Sequence, residues 1–172
     1  MTAVTQSESR RLQLMTGRIN LNAPLSGRAR ETTEQYTEDV VITRQKVYRR
    51  AAGAHGRWQE FPASAAKGGI PTDRLPRYVR LMLGHGGSVR QGDENIRVSA
   101  RLTAEDIETV DAVVGRHLHS ATAIDTDAWI DRVGRVVRVR QTLHFASGPD
   151  VENSITLADF AGAVVIGAPA AD

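Results

Sequence analysis

The chain has 172 residues, of which 41% are hydrophobic and 24% charged, the balance of a folded chain of one domain's length rather than a disordered one. A formal net charge of +2, with no basic run interleaved with aromatics, argues against a nucleic-acid partner. Cysteine is absent, which excludes disulfides, thiolate metal sites and a cysteine nucleophile, and apolar runs of about five residues exclude a transmembrane helix, which needs roughly 20.

Only Lys46 and Lys67 among the 22 basic residues are lysine, a bias read here as genome composition rather than function. Residues 1–9 carry no charged-then-apolar leader and no lipid-attachment cysteine. The expected location is cytoplasmic, or cell-envelope if a leader has been removed. Residues 1–9 and 168–172 are expected to be frayed ends of a single domain spanning 1–172.

Along the chain, Leu12 and Leu14 alternate with polar residues, Gly17 interrupts, and Ile19 and Leu21 resume the alternation, which predicts strand, turn and strand closed by Asn22-Ala-Pro24. Ser26-Gly27 reads as the next turn, and the Thr-rich stretch from Arg28 to Tyr36 as an edge strand. Val40-Val-Ile42 and Val47-Tyr48 flank Thr43–Lys46 as a hairpin. Gly53, Gly56 and Pro62 bracket a short strand at Arg57–Phe61, and residues 62–72 form the clearest loop.

Thr72 or Asp73 is placed to cap a first helix, with Leu75, Val79, Met82 and Leu83 as its apolar stripe and Gly84, Gly86 and Gly87 at its end. Pro76 is tolerated because it falls in the first turn. Ile96, Val98, Ala100 and Leu102 alternate with polar residues as a half-buried strand. Thr103-Ala-Glu-Asp106 then opens a second helix in capping-box fashion, and Ile107, Val110, Val114 and Leu118 recur at helical spacing. Strands are expected at 123–131, 135–145 and 153–160, followed by a short Val164–Ile166 segment.

One hairpin specifies its own register. A four-residue loop that pairs Asp131 with Val136 sets Trp129 opposite Arg138 and Asp127 opposite Arg140 on one face. On the other face it sets Ile130 opposite Val137 and Ala128 opposite Val139. Each pair is chemically matched, as cross-strand neighbours should be.

Val47-Tyr48 followed by Arg57-Trp58, the helix Leu75–Leu83, the run Asp127–Arg140 and the terminal Leu157-Ala-Asp-Phe160 together resemble the actinobacterial LppX/LprG-like lipoproteins. Their half-barrel is similar to that of the carriers LolA and LolB. The resemblance spans roughly residues 36–170. It implies an α+β fold in which a strongly bent antiparallel sheet, a half-barrel, carries two helices on its concave face around an apolar cavity. The chain departs from that family in having no lipobox cysteine and no clear helix before its first strand.

Catalytic signatures are weak. His117 and His119 at a helix end diverge rather than converge on a metal, and cations there complement the helix dipole. His85 follows a helix and so belongs to no phosphate loop. Asp93, Glu94, Glu105, Asp106, Asp125 and Asp127 read as surface carboxylates, and neither a Gly-x-Ser-x-Gly elbow nor a Gly-x-Gly-x-x-Gly loop occurs. No cofactor and no metal are expected.

The function expected from this sequence is binding or carrying of a hydrophobic small molecule or lipid between sheet and helices. Leu12, Leu14, Val40, Ile42, Ile96, Val98, Val114, Ile130 and Val137 are the expected lining. The alternative is a cofactor-independent cyclase or isomerase, or a sequestering self-resistance protein, acting on a polyketide-like natural product in the same cavity.

Overall fold

The alternation that marks Ile96–Leu102 builds one of eleven strands that, among the described residues, form one open antiparallel sheet. The structure is a computed structural model and describes residues 1–8, 10–21, 24–53, 57–66, 68–162 and 164–170. Asn22 and Ala23 of the expected turn, Gly56, Lys67 and the last two residues lie outside the described residues, as does Ser9.

The strands are β1 (Thr2–Ser7), β2 (Arg10–Asn20), β3 (Ser26–Thr33), β4 (Thr37–Ile42), β5 (Lys46–Ala51), β6 (Gln59–Pro62), β7 (Ser88–Gln91), β8 (Asn95–Leu102), β9 (Ala123–Asp131), β10 (Val136–His144) and β11 (Val151–Thr156). Their order is β6-β5-β4-β3-β2-β1-β11-β10-β9-β8-β7. The chain therefore makes two meanders, joined by pairing of the first strand with the last. Helices α1 (Leu75–Gly84), α2 (Ala104–Val110) and α3 (Ala112–His117) pack on one face of the bent sheet.

Several expectations need correction. Residues 2–7 are not frayed: they form β1, hydrogen-bonded on both sides, with Thr2 paired to Thr16 and to Thr156. Gly17 does not end a strand, because β2 runs through it. A Cβ there would sit 2.5 Å from the Ala29 Cα and one on Gly27 would sit 2.9 Å from the Ile19 Cα, so these glycines let β2 and β3 approach closely. Gly27 and residues 28–33 consequently belong to β3, an interior strand and not an edge.

The loop between β9 and β10 is one residue shorter than expected. Asp131 N–H donates to the Arg135 carbonyl at 2.9 Å, and Gly134 takes φ 83°, which only glycine adopts readily. A bulge then sets Ile130 opposite Val136 instead of Val137. Beyond it the expected register holds, with Trp129 opposite Arg138, Ala128 opposite Val139 and Asp127 opposite Arg140. The last strand ends at Thr156 rather than 160, and β7 was not foreseen.

The second helix breaks at Asp111, whose φ −146° and ψ 103° are extended. Its carboxylate accepts from the N–H groups of Val113 and Val114 at 3.1 and 3.2 Å, starting α3 afresh. An aspartate inside a helix competes for backbone donors in this way. Gly115 then packs on Glu108, where a Cβ would fall 2.5 Å from the Glu108 Cα. Ile107, Val110, Val114 and Leu118 are nevertheless all buried. At α1, neither Thr72 nor Asp73 caps: the N-cap is Arg74, with no side-chain cap bond. Leu83 is exposed, and Tyr78 takes its place in the core.

That core joins Leu75, Tyr78 and Met82 of α1 and Ile107 and Val114 of α2 and α3 to Val98, Ile124, Ala128, Val139 and Ile155 of the sheet. A second cluster, Val40, Ile42 and Val47, lies on the same face of β4 and β5 under Leu25 and Ala66. Between them in the chain, Ala66 packs against the second cluster and Ile70 belongs to the first. Gly69 lies so close to Asn153 that a Cβ would come within 2.4 Å of its Nδ2.

Candidate functional site: a cavity at the overhang of the second strand

At one end of the sheet β2 runs past β1, so residues 18–20 pair only with β3. After β11 the chain leaves the sheet, Leu157 N–H donating to the Val137 carbonyl at 2.8 Å on the β10 bulge. Residues 158–162 and 164–166 then cross the overhang without regular structure. Asn20 holds them from β2: its Nδ2 donates to the Val164 carbonyl at 2.7 Å, and its Oδ1 accepts from Val164 N–H at 3.0 Å. The Arg135 guanidinium lies 4.4 Å from the centre of the Phe160 ring and fixes the segment at its other end.

Between the overhang and this segment is a cavity of about 820 Å³. Ile19, Leu21, Leu157, Phe160, Val164, Val165 and Ile166 supply its apolar wall, and Arg18, Asn20, Arg28 and Asp159 its polar one. Arg18 and Arg28 are direct cross-strand partners, both exposed. Neither makes an ion pair or hydrogen bond among the described residues, whereas Arg30, one step along the same face, reaches Asp39 at 2.8 Å.

None of the nine expected lining residues borders this cavity. Val98 and Val114 are fully enclosed in the core beneath the helices, and Ile130 packs against that core. Val40 and Ile42 belong to the second cluster. Leu14 faces the other way, since the register carries it through Val4, Ser154 and Arg140 to Asp127. Leu12 and Ile96 are each 39% exposed, and Val137 sits at the bulge. The missed wall had a signal in Ile19, Leu21 and the apolar residues after position 156, which sequence pattern assigns to strands.

The opposite face of the sheet is polar. Asp127 there accepts from Ser99 Oγ at 2.6 Å, Arg97 Nε at 2.9 Å and Arg140 Nη2 at 2.7 Å. Trp129 lies within 5.2 Å of Arg97 and 5.0 Å of Arg138, so the expected Trp–Arg pair is part of a larger cluster. His144 lies 2.9 Å from both Asp125 and Asp150, His85 lies 3.0 Å from Asp106, and His119 lies 3.1 Å from Glu108. Among the described residues no group of three or more His, Asp or Glu is placed to hold a metal ion. No helix is long and apolar enough to cross a membrane among the described residues.

No protein-family model matches the chain, and no curated protein matches it. Among solved structures it is similar to the Mycobacterium tuberculosis lipoprotein LppX, with TM-score 0.41 and 13% identity over 96% of this chain and 88% of that one. At those values the likeness does not place the chain in that family and bears on neither ligand nor mechanism.

Proposed function

We propose that the protein binds a hydrophobic small molecule or a lipid chain in the cavity between the β2 overhang and the C-terminal segment. The observation that carries this reading is the cavity itself. Its volume of about 820 Å³ falls within the range of roughly 300–1,000 Å³ typical of ligand pockets, and its wall is mainly aliphatic with one aromatic ring. Phe160, Val164 and Val165 line it and are all exposed, Val165 almost completely. Clustered apolar surface left open to water is costly, and a ligand chain seated there would cover it.

The test uses N-phenyl-1-naphthylamine, a neutral apolar dye, with the wild-type protein and with Ile19→Trp, which fills the cavity from the β2 side. Saturable uptake by the wild type and its loss in a variant that still melts cooperatively support the reading. No saturable uptake by the wild type, or equal uptake by the folded variant, overturns it.

A further inference from the structure

The polar wall of the same cavity narrows the ligand class, and this step rests on the reading just given. We infer that the ligand is an anionic amphiphile, an apolar chain ending in a carboxylate or phosphate, whose head is held between Arg18 and Arg28.

Like charges directly opposite on neighbouring strands are destabilising, and sheets ordinarily match them. On this face Arg30 is paired with Asp39, Arg101 with Asp125, and Arg97 and Arg140 with Asp127; Arg90 also faces an arginine, Arg97, but there Asp127 supplies a counter-charge. Arg18 and Arg28 face each other with a counter-charge on neither. Across β3 from Arg18 is Arg28, and across β4 from Arg28 is Val41, so the register supplies no carboxylate to either. The nearest acid diagonally, Asp39, is already taken by Arg30.

Arg18 and Arg28, cross-strand partners without a counter-charge, thus both line the cavity. Each presents a planar fork of donors that matches a carboxylate or a phosphate, and one anion between them would relieve their mutual repulsion. The chain attached to it then has the apolar residues of the C-terminal segment, Phe160, Val164 and Val165, which line the same cavity, to run along. Asp159 borders the cavity too, and no ion pair joins it to either arginine among the described residues.

The experiment compares cis-parinaric acid with its methyl ester, which has the same chain and no charge, and adds dodecyl phosphate and inorganic phosphate as competitors. Wild-type protein should bind the acid at least about tenfold more tightly than the ester, the scale of a charge-assisted hydrogen bond. Dodecyl phosphate should displace the acid, whereas inorganic phosphate should not. The double variant Arg18→Gln, Arg28→Gln should lose that preference, its affinity for the acid falling to that for the ester. Its thermal midpoint should not fall, because removing facing like charges does not weaken the sheet.

Equal binding of acid and ester by the wild type, or a preference that survives in the double variant, overturns the head-group assignment and leaves the apolar reading standing. Displacement by inorganic phosphate as effective as by dodecyl phosphate identifies a free-anion site and likewise overturns it. Failure of the wild type to bind either acid or ester overturns both readings.

Discussion

Arg140 reaches across the β9–β10 ladder to Asp127, its Nη2 2.7 Å from Oδ2, while Ser99 donates to Oδ1 from β8 at 2.6 Å. Burial acts to raise the Asp127 pKa, but the hydrogen bonds from Ser99, Arg140 and Arg97 outweigh it and hold the carboxyl below its ordinary value. A carboxyl whose folded value is depressed contributes stability above its unfolded value, about 4, and that stability is lost as pH falls through the lower folded value. Asp127→Asn should therefore flatten the acid limb of the stability curve and cost about 1–3 kcal/mol at neutral pH. Urea unfolding of both proteins from pH 2 to pH 7 measures this, and an unchanged acid limb would count against the network.

Thr103 and Asp106 form a reciprocal cap at the start of α2. Asp106 N–H donates to the Thr103 hydroxyl at 3.2 Å, and Thr103 N–H donates to the Asp106 carboxylate at 2.8 Å. Thr103→Ala should lower stability by about 1 kcal/mol, within the usual range for a lost N-cap. The unfolding midpoint reads it directly.

Tyr78 is fully buried, accepts a hydrogen bond from Gln141 Nε2 at 2.6 Å and lies 3.1 Å from Thr126 Oγ1. Burial pushes its pKa up to about 12, against the opposing effect of those two partners. Because the folded value lies above the unfolded one near 10, stability from this group is complete below about pH 10 and declines as pH rises toward 12. Tyr78→Phe should remove that alkaline decline. At neutral pH it should cost about 1–3 kcal/mol by leaving Gln141 without its partner. Denaturant titrations at pH 7 and pH 11 separate the two effects.

Val114 tests where the cavity is. It is fully buried between helices and sheet and does not line the cavity at the overhang of β2. Val114→Trp should overpack that core and cost about 1–3 kcal/mol or more. Uptake of N-phenyl-1-naphthylamine per folded molecule should stay as in the wild type. Loss of uptake without loss of thermal stability would move the ligand site under the helices.

Much of the local structure was legible because it depends on residues close in sequence. Alternation marked β8, β9 and β10, and Thr103 with Asp106 marked the helix start. Chemical matching of Asp127 with Arg140 and Ala128 with Val139 set the hairpin register. The break at Asp111 escaped the pattern because the apolar spacing continues through it. What breaks the helix is a side chain that hydrogen-bonds the backbone of the next turn, which periodicity does not register.

The sequence by itself determined which segments are strands and helices over most of the chain, and in β9 and β10 which residues share a face. Only the tertiary structure decided that Thr2–Ser7 is an interior strand and that a cavity opens at the end of β2. β1 offers just Ala3, Thr5 and Ser7 to the inner face, too little apolar contrast to announce a buried strand. Its place comes from pairing with Val151–Thr156 at the far end of the chain and from the bond of Thr5 to Asn153 at 2.9 Å. The cavity likewise joins Ile19 to Phe160 and Val164, residues whose proximity follows from that pairing alone. Local patterns encode which side of a strand is apolar; which distant strand lies beside it is set by the closure of the whole sheet.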